Sequence, residues 1–219
     1  MEGATISTTD PIEFCVGDGA SDIVDVIIDN AGTGTNAFWV ITDDQSIILS
    51  LPANGPFDFE GAGVGACSIY YVNASGTTNG FEEGANINDA TGCYALSNAI
   101  TVTRNETPTV TIDPTNVEVC AGESIDFSAI GSSNDLTYEW FASQGILSST
   151  TTQNTTFTMM MPGTYQIILS ATTPEGCMAM DMTTVTILET PEVTVDMPSN
   201  ICQIDDCVTL EANATGGSS

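Results

Sequence analysis

Three segments of this chain open in the same way, and that recurrence limits the possible fold more than any other feature. Ala4-Thr5-Ile6 leads to Asp10-Pro11 and then Cys15. Thr109-Val110-Thr111-Ile112 leads to Asp113-Pro114 and then Cys120. Glu192-Val193-Thr194-Val195 leads to Asp196, Pro198 and then Cys202. Each is a short β-branched strand, a Pro-marked turn and a cysteine ahead of the next strand. Repeats of this length mean domains in tandem. The first two also close alike: Thr91-Gly92-Cys93 precedes Ala99-Ile100-Thr101-Val102, as Glu175-Gly176-Cys177 precedes Thr184-Val185-Thr186-Ile187. Each carries one tryptophan in its first half, Trp39 and Trp140.

The clearest strand signal lies between Pro162 and Leu188. After the turn Pro162-Gly163, the residues Tyr165, Ile167, Leu169 and Ala171 alternate onto one face of a strand. Thr173-Pro174-Glu175-Gly176 ends that run with turn chemistry. Met178, Met180 and Met182 then begin a second alternation, but Val185 and Ile187 fall in the opposite phase. A one-residue slip turns every side chain over, so a bulge is expected near Thr183-Thr184. The pair reads as the closing hairpin of a β-sandwich.

Seven cysteines in a lysine-free, strand-rich chain point to an oxidising compartment. Matching positions in the two repeats predict the disulfides Cys15–Cys93 and Cys120–Cys177. Each would close a loop of about 60 to 80 residues and contribute about 4 kcal/mol on the chain-entropy model. Cys67 has no counterpart in the second repeat and reads either as a reactive or intermolecular thiol or as a small buried hydrophobe. Cys202 either pairs with Cys207 or takes a more distant partner.

The charge balance excludes whole classes of partner. There are 29 acidic residues against a single cation, Arg104, with no lysine and no histidine. Phosphate binding needs cations, so nucleic acid and anionic membrane surfaces are excluded. A single globule of this mass exposes roughly 9,500 Å², which sets its acids about 18 Å apart, beyond the Debye length of about 8 Å at physiological salt. Salt therefore screens the average repulsion, and only local clusters argue for a bound cation. Calcium is the ion that carboxylate, carbonyl and amide oxygens suit. The candidate ligands are Asp18 with Asp22, Asp43 with Asp44, Asp205 with Asp206, and Glu106 and Glu189 at the two expected joints.

Other chemistry is thinly represented. Without His or Lys, serine and cysteine nucleophiles lack their usual bases, and no phosphate-binding or nucleophile-elbow motif occurs. No enzymatic activity is expected. Trp39, Phe38, Tyr70 and Tyr71 are candidates for a sugar-binding platform, although alternation sends half of them to the core. Asn73, Asn105, Asn154 and Asn213 match the N-glycosylation pattern. No apolar run approaches the length of about 18 residues that spans a bilayer. Glu2-Gly3-Ala4 has neither the basic nor the apolar segment of a secretory signal, so a secreted form is expected to be a mature or excised piece.

Val208-Thr209-Leu210-Glu211-Ala212 and Gly216 match Ile125-Asp126-Phe127-Ser128-Ala129 and Gly131. The third repeat thus holds only its first strands. Two readings follow: the chain is a fragment of a longer repeat protein, or another chain fills the open edge.

Tyr138-Glu139-Trp140, Pro162-Gly163-Thr164-Tyr165 and Gly176-Cys177 together resemble PKD and Ig-like repeats. Such repeats are common in large secreted adhesins of Bacteroidota-type bacteria, gliding-motility adhesins among them. Phe14-Cys15-Val16-Gly17-Asp18-Gly19 with Gly92-Cys93 resembles a longer domain found beside them. The resemblance implies an all-β chain of tandem Ig-like or PKD-like sandwiches in a linear array. The expected spans are 1–105, a sandwich with long insertions, 106–190, a PKD/Ig-like sandwich, and 191–219, the start of a third. It also implies an extracellular stalk, partnered by neighbouring repeats or copies of the chain and by surface glycans. Unlike an antibody domain, Cys120 precedes its strand and Cys177 follows a turn, so a bridge here is expected to clip a domain end.

Overall fold

The computed structural model describes residues 1–196 and 211–215, and every regular element in them is a strand except for one turn of 3-10 helix at Ile87–Asp89. The chain divides into two compact units. Unit 1 is Met1–Thr107 together with the tip Thr173–Met178, and unit 2 is Pro108–Thr172 with Ala179–Ser219. The expected spans 1–105 and 106–190 do not foresee that the tip 173–178 groups with unit 1.

Unit 1 holds β1 (Thr5–Ser7), β2 (Glu13–Cys15), β3 (Ile23–Val24), β4 (Ile27–Asn30), β5 (Asn36–Thr42), β6 (Ile48–Ser50), β7 (Phe57–Asp58), β8 (Gly65–Asn79), β9 (Thr91–Leu96) and β10 (Ile100–Asn105). The main sheet runs β2-β10-β8-β5-β6, with β9 also on β8, and the ribbons β1-β4 and β3-β7 lie outside it. In β5, Trp39 and Ile41 point to one side and Phe38 and Val40 to the other. A strand apolar on both faces must be covered on both, and it is. Trp39 and Ile41 join Ile6, Val24, Phe57, Ile69 and Val102 in one core. Val40, Ile48, Val72 and Ile87 form a second, over which Phe38, Phe81, Tyr94 and Leu96 close. The insertion between β8 and β9 contributes Ile87 and Phe81 to that second core.

Unit 2 holds β11 (Val110–Asp113), β12 (Val117–Cys120), β13 (Ser124–Gly131), β14 (Thr137–Ala142), β15 (Ile146–Leu147), β16 (Asn154–Thr158), β17 (Gly163–Thr172), most of β18 (Met178–Leu188), β19 (Glu192–Asp196) and β20 (Glu211–Thr215). Its sheets run β11-β13-β16-β15 and β12-β18-β17-β14. Phe127, Trp140, Phe157, Ile167, Leu169 and Val185 fill the core between them. Trp140 is buried with its indole N–H donating to the Thr152 carbonyl at 2.8 Å. A buried indole needs such a partner.

The inward face of β17 is Tyr165, Ile167, Leu169 and Ala171, as the alternation predicts. β18 departs from prediction, because it carries no slip at Thr183-Thr184. Odd-numbered residues face inward along its whole length, and Met178, Met180 and Met182 are exposed. Asp181 and Thr183 take the inward positions because they accept backbone hydrogen bonds, Asp181 from Ile112 N–H at 2.7 Å and Thr183 from Asn116 N–H at 2.9 Å.

The two units share one plan. The tryptophan strand, its neighbour, the return strand and a parallel strand ending in cysteine follow each other as β5-β8-β10-β2 and as β14-β17-β18-β12. The chain is all-β, built of tandem Ig-like β-sandwich domains.

Candidate functional site

Among the described residues, the features that stand out are the cysteines, one buried ion pair and clefts lined by acidic and aromatic side chains. Cys15 ends β2 and pairs with Asn105 of β10, with Val16 N–H donating to the Asn105 carbonyl at 2.9 Å. Cys120 ends β12 in the same way, paired with Leu188 of β18, and Ala121 N–H donates to the Leu188 carbonyl at 2.9 Å. Cys93 inside β9 and Cys177 in the turn ahead of β18 each follow a glycine with positive φ, Gly92 (115°) and Gly176 (92°). A residue with a side chain is strained there, which explains the glycine at both places.

The disulfides differ from the expected pairs. Cys15 is bonded to Cys177, while Cys67, Cys93 and Cys120 are thiols. Cys15 and Cys120 hold matching strand positions, but Cys93 lies inside β9 opposite Ser75 whereas Cys177 lies in the turn ahead of β18, and the bond joins Cys15 to Cys177. Cys177 is fully buried, and its N–H donates to the Thr173 hydroxyl at 3.2 Å. Cys202 and Cys207 lie outside the described residues.

Cys67 is half-buried, and its thiol is pushed above the ordinary value, first by burial and then by Asp43 and Asp44, with Arg104 pulling the other way. Thiolate is the reactive form, so this residue is a poor nucleophile. Iodoacetamide at neutral pH is expected to label exposed Cys93 well ahead of Cys67, followed by peptide mass spectrometry. Equal rates would contradict that environment.

The sole cation is internal. Arg104 Nε donates to Asp22 Oδ2 at 2.7 Å, with the two side chains 2% and 1% exposed. Every charged side chain exposed among the described residues is therefore acidic. The pairing removes Asp22 from the calcium candidates, and Asp18 instead closes its own turn by accepting from Ala20 N–H at 2.8 Å. Asp43 Oδ1 accepts from Gln45 and Ile47 N–H at 2.9 and 2.8 Å. With Asp44 it borders a cleft of about 360 Å³ beside Leu49, Val64 and Cys67. Glu106 and Glu189 are exposed, and Asp205 and Asp206 lie outside the described residues. Among the described residues, no three or more His, Cys, Asp or Glu side chains come together in a way that would hold a metal ion.

The aromatic platform does not form. Trp39 lies in the first core against Phe57 and Tyr71, at centroid distances of 5.1 and 4.6 Å, while Phe38 and Tyr70 belong to the opposite face of the sheet. Phe38 meets Phe81 edge-on at 5.2 Å. These two rings, with Leu51, Asn79 and Glu82, border a cleft of about 410 Å³. Sequence reasoning missed Phe81, which carries no periodic signal in its loop.

Asn73 is also reassigned. It is buried, accepts from Ala4 N–H at 3.1 Å and donates to the Ala31 carbonyl at 2.8 Å, so it is a structural tie and not a glycan acceptor. Asn105 is half-buried in β10, and Asn154 and Asn213 are exposed on β16 and β20.

The family model of the Ig-like domain, CHU_C associated, matches residues 106–191. No curated protein matches the chain in sequence. Among solved structures, the fibronectin(III)-like modules of Clostridium thermocellum CbhA align at 15% identity and a TM-score of 0.40, covering 84% of this chain and 95% of theirs. Sidekick-1 immunoglobulin domains 1–5 align at 13% identity and a TM-score of 0.42, covering 99% of this chain and 46% of theirs. Drosophila N-cadherin EC1-4 aligns at 10% identity and a TM-score of 0.36, covering 100% of this chain and 61% of its own. No helix among the described residues is long and apolar enough to cross a membrane.

Proposed function

We propose that this chain is an extracellular segment of a large surface adhesin or filament, in which Ig-like repeats form an acidic stalk. One observation supports the reading: one strand order recurs in both units, and the pairing of β19 with β20 keeps the register of β11 with β13. β19 pairs with β20 as Val193↔Ala214 and Val195↔Ala212, each partner lying 83 residues after its counterpart in Val110↔Gly131 and Ile112↔Ala129 of β11 and β13. Repetition of one module in the same register extends a chain without adding chemistry. The surface suits that task, since its sole cation is spent inside unit 1 and the remaining charges keep the protein soluble and self-repelling. Its partners are neighbouring repeats and copies of the same chain. Antibody raised against the 219-residue protein is expected to label intact cells that make it, and external protease is expected to remove the label. Label appearing only after the cells are opened would overturn the assignment.

A further inference from the structure

The Cys15–Cys177 bond lies where two strands meet its sulfurs. β2 stops on the first cysteine, and β18 starts at Met178, one residue after the second. The disulfide thus splices the end of one strand to the start of another, and a covalent line passes from β2 through both sulfurs into β18. The residues from Val16 to Gly176 hang from that line as a closed loop. The buried residues that fill the three cores lie inside it, except for Ile6, Val185 and Ile187.

The partners of the spliced strands also belong to the loop. β2 pairs with β10, and β18 lies between β12 and β17. A strand already rises about 3.2–3.4 Å per residue, against about 3.6 Å for a taut chain. Tension along β2 and β18 therefore gains little length by parting them from those partners. Without the bond, the same tension has to pass through every strand in turn.

We infer that the Cys15–Cys177 bond is a load bypass: it carries tension past the loop, so that the sandwiches hang on the stalk without being stretched by it. Reduction puts the loop into the load path, which makes the reach of the chain depend on redox state. The inference rests on the stalk reading above, since only a chain under tension has a use for it. In the reduction the S–S bond breaks and the two sulfurs take up two electrons and two protons. Dithiothreitol supplies both as it closes to its cyclic disulfide.

The test stretches single molecules of the whole 219-residue chain between handles on its two ends. With the bond intact, only Met1–Cys15 and Cys177–Ser219 are drawn out, to about 210 Å at about 3.6 Å per residue. The parent in dithiothreitol is expected to reach about 790 Å, almost fourfold further, and so is Cys15→Ala with Cys177→Ala. The length of a fully drawn chain does not depend on its fold, so poor folding of that variant does not alter the result. Cys93→Ser and Cys120→Ser should stop at the parental length, even at forces that unfold the reduced chain. An oxidised parent that extends to about 310 Å, the length left by Cys15–Cys93 with Cys120–Cys177, would overturn the bypass. So would one that runs to about 790 Å, or a reduced chain that stops at the oxidised length. Antibody labelling of intact cells is independent of this bond, so failure here and failure of the stalk assignment are told apart.

Discussion

Arg104→Ala is expected to destabilise the protein by about 3–5 kcal/mol, because it leaves the Asp22 carboxylate buried and unpaired. Asp22 is 1% exposed, and its Oδ1, like Arg104 Nη1, already has no protein hydrogen-bond partner. No other cation exists in the chain to take the place of Arg104. The shared plan shows how the site is built without charge. The pairings of Cys15 with Asn105 and of Cys120 with Leu188 make Arg104 the counterpart of Ile187, which is buried in the core of unit 2. Arg104→Ile combined with Asp22→Leu should therefore recover most of the loss, since apolar replacement of a whole buried pair is often neutral or stabilising. Urea unfolding of the two single variants and the double variant measures this directly. The deficit should persist at high salt, because a buried pair is screened far less than surface charges. Single variants within about 0.5 kcal/mol of the parent would place the site in the range of ordinary surface changes and refute the argument.

That ion pair shows where sequence reading stops. A single cation among 29 acids is conspicuous, but nothing local marks which acid it meets, and Asp22 lies 82 residues away. Alternation in β17 was legible because each of Tyr165, Ile167, Leu169 and Ala171 is placed by period alone. The same rule failed in β18, where hydrophobicity sent three methionines inward. Asp181 and Thr183 hold the inward face because backbone N–H groups of Ile112 and Asn116, 69 and 67 residues away, need acceptors. Asn73 repeats the lesson, since a glycosylation pattern is three residues long while its ties to Ala4 and Ala31 are tertiary. The cysteines divide more finely. Repetition matched Cys15 with Cys120, which both end the parallel strand, but it could not show that Cys93 lies inside β9 while Cys177 lies in a turn, nor which cysteines bond.

Removal of the Cys15–Cys177 bond by Cys15→Ala with Cys177→Ala is expected to cost about 2–5 kcal/mol. The two residues are 162 apart in sequence, so the closed loop holds every strand from the end of β2 through β17. On the chain-entropy model a loop of that length restricts the unfolded ensemble by about 5 kcal/mol, more than either of the shorter loops expected from matched positions. Alanine is the suitable replacement at Cys177, because the site is fully buried and a serine hydroxyl would add its own desolvation cost. Cys93→Ser and Cys120→Ser change no bond among the described residues and should stay within about 0.5 kcal/mol of the parent. The set separates the two possible connectivities by thermal or urea unfolding alone. If the pairs were Cys15–Cys93 and Cys120–Cys177, the Cys93 and Cys120 variants would each lose a bond and fall with Cys15→Ala. If the bond is Cys15–Cys177, they hold, and adding a reductant to the parent reproduces the loss seen in the double alanine variant.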